Sequence, residues 1–163
     1  MNRKNFLTNL GAMGATTLVA PTILASSLKK ENLSLNRKIK VGIIGCGSVS
    51  GQYMPHLSKS PHAQIVSVCD IKPERAQSRA KEFNIPNWYP HIDKMLAGED
   101  FDLLVNLTDM QEHGRLNRIA IDHGKNVWCE KPLANSYAEG VEILKLAKNK
   151  GVKIWGAPVV VNS

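Results

Sequence analysis

Three short segments carry residues whose types and spacing can do chemistry. Gly45-Cys46-Gly47-Ser48-Val49-Ser50 follows an apolar run and has the form G-x-G-x-x-S. The first glycine of such a pattern permits a tight turn. The second removes a Cβ, so that a phosphate can approach backbone N–H groups at the start of a helix. Asp70 falls 25 residues after Gly45, at the end of another apolar run, where a carboxylate can accept hydrogen bonds from ribose hydroxyls. A carboxylate there repels a 2′-phosphate and favours NAD over NADP, whereas Lys72 and Arg75 close behind it soften that preference. Glu130-Lys131-Pro132 also follows an apolar run. At the carboxyl end of a strand, Lys131 can donate to a substrate oxygen and exchange its proton during hydride transfer. Each segment has a plainer reading. Glycine turns after buried strands often serve only the fold, Asp70 can be a turn or cap residue, and Lys131 can be a surface lysine before a proline.

These residues need elements to hold them. Short β-rich runs alternate with helical patterns, the signature of an α/β fold with a doubly wound parallel sheet. Strands are expected at residues 39–44, 63–69, 88–89, 101–107 and 126–129, with a sixth starting at Val152. A helix is expected from about Ser48, shortened or kinked by Pro55. Another begins at Pro73 with an apolar stripe of Ala76, Ala80 and Phe83, and a short one spans 91–96. Asp109-x-x-Glu112 has the form of a cap for a helix ending near Gly124. Ser136-x-x-Glu139 has the same form for a helix with Val141, Leu144 and Ala147 on its apolar face and Gly151 closing it.

Taken together, VGIIGCGSVSG (41–51), VSVCD (66–70), VNLTDMQEH (105–113) and HGKNVWCEKPLA (123–134) resemble the N-terminal Rossmann domain of the Gfo/Idh/MocA family, named after glucose–fructose oxidoreductase and inositol dehydrogenase. The resemblance runs from about Lys38 to the C-terminus. It implies an NAD(P)-dependent oxidoreductase acting on a sugar or cyclitol hydroxyl, with NAD as the expected cofactor and a carbohydrate-like small molecule as partner. Gly45, Cys46, Gly47, Ser48, Val49, Asp70, Thr108, His113, Glu130 and Lys131 are then expected around the cofactor, with Lys131 also catalytic. Thr108 and His113 keep the spacing of the family's T-P-x-x-x-H pattern, with Asp109 in place of the proline. Family members carry a second α/β domain that supplies the substrate pocket, oligomer contacts and commonly a D-x-x-x-H pair. That domain is expected to be absent from this chain, so oligomerisation is not expected without it and an apolar patch should be left exposed. Two further readings stand beside the dehydrogenase. One is an NAD-dependent glycosidase of the same family, and the other is a non-catalytic, truncated nucleotide-binding module.

The 163 residues carry a formal charge of +7, which by itself points toward a polyanionic partner. Residues 1–40 hold a net +6, and the remainder interleaves 14 basic with 13 acidic side chains. A nucleic-acid partner is therefore not expected. Met1–Asn5 is short and basic, Phe6–Leu24 is mostly apolar and small, and Ala25-Ser26-Ser27 follows. This is the layout of an export signal, and Arg3-Lys4-Asn5-Phe6-Leu7 resembles a twin-arginine motif with Lys4 as its second basic residue. Residues 1–37 are read as signal and linker and 38–163 as the dinucleotide-binding domain, with export to the periplasm expected and a cytoplasmic protein with an uncleaved tail as the alternative. Asn9, Gly11, Gly14 and Pro21 make the apolar run a poor membrane span. Cys46, Cys69 and Cys129 are odd in number and widely spaced, which indicates neither a disulfide framework nor a metal site.

Overall fold

The computed structural model describes residues 37–158; the expected leader and residues 159–163 lie outside that range. The strands are β1 (Ile39–Ile44), β2 (Ala63–Cys69), β3 (Asn87–Tyr89), β4 (Leu103–Asn106), β5 (Asn126–Cys129) and β6 (Ile154–Gly156). The helices are α1 (Ser50–Leu57), α2 (Pro73–Glu82), α3 (Ile92–Leu96), α4 (Met110–Asp122) and α5 (Tyr137–Lys150). The strands form one sheet in the order β3-β2-β1-β4-β5-β6. Every pairing is parallel. The chain winds outward in both directions from β1, so a crevice opens where β1 and β4 end side by side. Among the described residues no helix is long and apolar enough to cross a membrane.

Side-chain alternation along the strands divides the core between the two faces. Val41, Ile43, Val68 and Val105 pack with Met54, Ala76 and Ala80 from α1 and α2. Ile44, Leu104, Val127 and Cys129 pack with residues of α3, α4 and α5, including Met95, Leu116, Ile121 and Ile143. Pro73 opens α2 and its alanines are buried, as the stripe predicts.

Four local expectations are corrected. The first helix starts at Ser50 rather than about Ser48, with Ser48 and Val49 forming a turn whose carbonyls accept the Gly51 and Gln52 N–H groups. The fourth strand is shorter than 101–107, because Phe101 leaves the ladder and turns into the core. The Met95 methyl takes the space a Cβ on Gly42 would occupy, and the Phe101 ring lies beside it, 3.1 Å from that position. The sixth strand begins two residues late, because the N–H of Val152 donates to Ala147 O and closes the end of α5. The apolar face of α5 is turned as well. Ile143 and Ala147 are buried, with Leu146 packed beside them, whereas Leu144 is 54% exposed and Tyr137 90% exposed. Val141, Leu144 and Tyr137 form a second apolar stripe at helical spacing, and periodicity alone does not say which stripe meets the sheet.

Ile143→Ala is expected to cost about 3 kcal/mol, the usual penalty for emptying a core site. Leu144→Ala is expected to cost under about 0.5 kcal/mol. Urea midpoints at constant slope measure both, and equal shifts would return Leu144 to the core.

Candidate functional site

The glycine loop is built by a contact that excludes side chains. Gly45 leaves β1 with φ +94°, and a Cβ there would lie 2.6 Å from the carbonyl of Leu107 and 2.7 Å from the Thr108 nitrogen. Only glycine meets both demands. Gly47 differs, because a Cβ on it would meet nothing nearer than Arg75 Nη1 at 3.7 Å. Nothing among the described residues requires that position to be bare. Ser50, where a third glycine or alanine is usual, is fully buried and its hydroxyl donates to Gly47 O at 2.6 Å. The serine thus pins the loop from below.

Asp70 lies at the end of β2 and is 7% exposed. Its Oδ2 accepts the Cys46 N–H at 2.8 Å and its Oδ1 accepts the Lys72 N–H at 2.8 Å. One carboxylate therefore joins the glycine loop to the turn before α2, and each oxygen keeps a lone pair for a further donor. With the Cys46 N–H spent on Asp70, the N–H groups of Gly47, Ser48 and Val49 donate to no described residue. They lie at the N-terminal end of α1, where backbone dipoles favour an anion. Burial pushes the Cys46 and Cys69 thiols up to about 12 and that of Cys129 up to about 11. All three act as core residues, and Cys46 joins the site through its backbone.

Thr108 and Asp109 form the facing wall. A cleft of about 410 Å³ is lined by the loop from Cys46 to Val49 together with Arg75, Leu107, Thr108 and Asp109. Asp109 has φ −66°, close to the angle at which proline is locked, so the exchange of proline for aspartate leaves this wall in place. It caps α4 without a side-chain hydrogen bond, unlike the expected capping form. The Ser136 cap is realised: Ser136 Oγ accepts from the Glu139 N–H at 3.2 Å, and Glu139 reaches back to the Asn135 N–H at 2.8 Å.

Glu130-Lys131-Pro132 follows β5, with a cis peptide at Lys131–Pro132. The Lys131 side chain is exposed, and its ammonium makes no hydrogen bond or ion pair with any described residue. The turn is held from behind by buried polar groups. Asn106 accepts from the Thr108 hydroxyl at 2.7 Å and donates to Asn117 Oδ1 at 2.9 Å, and Asn117 donates to Leu133 O at 3.0 Å. His113, expected beside the cofactor, stands behind the cleft at 1% exposure. Its Nδ1 lies 2.6 Å from Pro132 O and its Nε2 3.0 Å from Thr108 O. Both ring nitrogens are thus taken up by backbone carbonyls of the chain. No polar atom of the ring is left for a ligand, and His113 serves the site by clamping two loops.

The structure thus brings the glycine loop, Asp70, Thr108 and Lys131 to the same edge of the sheet. Asn106, Asn117 and Tyr53 were not singled out from the sequence. A buried asparagine ending a strand is a readable signal for the first, whereas Tyr53 and Asn117 gain meaning only from partners far along the chain.

Residues 39–157 match the family model GFO_IDH_MocA, described as an oxidoreductase family with an NAD-binding Rossmann fold. An inositol 2-dehydrogenase from Acidothermus cellulolyticus is 29% identical over 120 residues, covering 73% of this chain and 35% of that protein. A glycosyl hydrolase family 109 protein from Porphyromonas gingivalis is 31% identical over 111 residues, covering 62% of this chain and 24% of that protein. The WlbA dehydrogenase from Bordetella pertussis, solved in complex with NADH and UDP-GlcNAcA, matches with a TM-score of 0.71 at 27% identity, covering 74% of this chain and 37% of that one. The chain spans roughly a third or less of the length of the curated relatives named here.

The two loop glycines should separate in a stability measurement. Gly45→Ala is expected to cost about 3 kcal/mol or more, from backbone overlap and a positive φ together. Gly47→Ala is expected to stay within about 1 kcal/mol of the parent chain. Thermal and urea unfolding check both, and equal losses would contradict the open space at Gly47.

Proposed function

This chain belongs to the Gfo/Idh/MocA oxidoreductase family, and from that premise we propose that it binds NAD and serves hydride transfer to or from a sugar or cyclitol hydroxyl. The observation that carries the reading is the bare approach at Gly47. A glycine with open space beside it opens a run of three N–H groups that donate to no described residue, at the start of a helix. That is a cradle for a pyrophosphate.

The residues present fit the dinucleotide. Gly47, Ser48 and Val49 would hold the pyrophosphate, and the unused lone pairs of Asp70 would receive ribose hydroxyls. A carboxylate at that place favours NAD over NADP. Bound there, the nicotinamide would supply the hydride acceptor. Lys131, whose ammonium makes no hydrogen bond or ion pair with any described residue, would give a proton to the carbonyl oxygen in the reducing direction and, as the amine so formed, would take the hydroxyl proton back in the oxidising direction. Glu130, through its hydrogen bond to the Lys131 backbone, keeps that turn in place. The inositol 2-dehydrogenase relative and the structure solved with NADH and UDP-GlcNAcA support the substrate class.

The 31% identity to a glycosyl hydrolase family 109 protein favours a second reading, an NAD-dependent glycosidase. Incubation of the chain with NAD and a panel of inositols, sugars and aryl glycosides separates the readings. NADH accumulation supports the dehydrogenase, aglycone release at catalytic NAD supports the glycosidase, and binding without turnover supports a nucleotide-binding module. NADH fluorescence titration is expected to show saturable binding. It is expected to weaken at least about tenfold, or ~1.4 kcal/mol, in Gly47→Ala and in Asp70→Ala. Unchanged binding in both variants would remove the cradle.

The same reading includes export to the periplasm, supported by the basic and apolar layout of residues 1–37. A reporter that folds before export, fused behind these residues, is expected in the periplasm and is expected to stay inside when Arg3 and Lys4 become Gln. A reporter retained in the cytoplasm behind the unaltered segment would sink the proposal.

A further inference from the structure

Tyr53 lies in α1, one turn after the helix opens from the glycine loop. Its neighbour Met54 is fully buried in the core, whereas Tyr53 is half-buried. Its hydroxyl donates to Glu130 Oε1 at 2.5 Å, a contact between residues 77 apart in the chain. The other oxygen of that carboxylate, Oε2, accepts the N–H of Lys131 at 2.9 Å. Glu130 is therefore a bridge with two ends, one on the helix that would hold the pyrophosphate and one on the turn that carries Lys131.

Lys131 has no other side-chain anchor among the described residues, so its direction depends on how this turn is held. The turn is fixed behind by His113 at Pro132 O and by Asn117 at Leu133 O. Both contacts lie on its far side from Glu130, after Lys131 in the chain. Before Lys131, the fixings are the Glu130 N–H on Asn106 O and the carboxylate bridge. A phenylalanine would fill the same volume as Tyr53 and pack the same face; only the hydroxyl reaches Glu130. Burial, and after it the Glu130 hydrogen bond, raise the Tyr53 phenol above its ordinary value, so it stays protonated and remains the donor throughout the neutral range.

We propose that Tyr53 is a positioning residue that acts through Glu130 to couple the dinucleotide-binding end of α1 to the placement of Lys131. The proposal rests on the reading that Lys131 lies beside bound NAD. With the hydroxyl removed, the carboxylate loses one of its two donors and is free to rotate, and the Lys131 N–H loses a fixed acceptor. The pyrophosphate cradle itself is untouched, because Tyr53 contributes no atom to it.

The test uses the full chain with its lysines labelled as 13C-dimethyl groups and the Lys131 resonance assigned through Lys131→Arg. Resonances are read without cofactor and at an NAD concentration saturating for each variant. In the parent chain NAD is expected to shift the Lys131 resonance. In Tyr53→Phe that shift should fall at least twofold, and hydrogen exchange of the Lys131 amide should speed up about tenfold. Glu130→Gln, which keeps the volume of the bridge, is carried in parallel with far-UV circular dichroism as the check on folding, and should give the same loss. The double variant should be no worse than Glu130→Gln, because Tyr53 acts through that residue. Parent-like behaviour of folded Tyr53→Phe, or losses that add in the double variant, would overturn the proposal and leave the NAD reading intact. A parent Lys131 that ignores saturating NAD would overturn the placement of Lys131 at the cofactor, and this proposal with it.

Discussion

Gly45 leaves β1 with a positive φ and lies against the backbone of Leu107 and Thr108, with no space between them for a Cβ. That contact sets the distance between the two walls of the cleft. It is possible because β1 and β4 are neighbours in the sheet, paired from Val41↔Leu103 to Ile44↔Asn106. Beyond Cys46, whose N–H is taken by Asp70, the N–H groups of Gly47, Ser48 and Val49 follow at the start of α1 and donate to no described residue. A chain whose sheet brought another strand beside β1 would have no facing wall at Thr108, and its glycines would be turn residues only.

Two carboxylates organise the rest, by the same device. Asp70 and Glu130 each spend their oxygens on backbone or side-chain donors within the protein and thereby join segments distant in sequence. A charged acceptor in a half-buried place makes stronger bonds than a neutral one, and loss of a partner there leaves the other group stranded. Behind them, Asn106, Asn117 and His113 satisfy the carbonyls of a turn that has no regular ladder to bond with. The groups these supports leave without a described partner are the Lys131 ammonium and the N–H groups of Gly47, Ser48 and Val49.

Much of this was legible in the residues. The strand and helix alternation, the parallel sheet, the glycine loop, Asp70 and the Glu130-Lys131 turn were all readable, because each depends on local pattern or on fixed spacing. The misreadings share one cause. The α5 stripe was assigned to Leu144 rather than Ile143 because two apolar faces at helical spacing compete and only the sheet chooses between them. Phe101 was assigned to a strand because β propensity does not register that its ring is drawn into the core cluster with Met95, beside Gly42. His113 was expected at the cofactor because a position in a pattern does not say on which side of a loop a side chain is buried.

The sequence by itself therefore determined the fold class, the place of the cleft along the chain and most of the residue types that line it. These follow from periodicity, from glycine's backbone freedom and from strand ends, all of which are local properties. Tertiary structure alone decided which polar groups remain free. The Cys46 N–H and the His113 ring are spent on internal partners, the Gly47 to Val49 N–H groups and the Lys131 ammonium have none among the described residues, and Tyr53 is tied to the turn that carries Lys131. A hydrogen bond between residues 77 positions apart has no signature in either local segment, because it exists only once the sheet has brought the end of β5 beside α1.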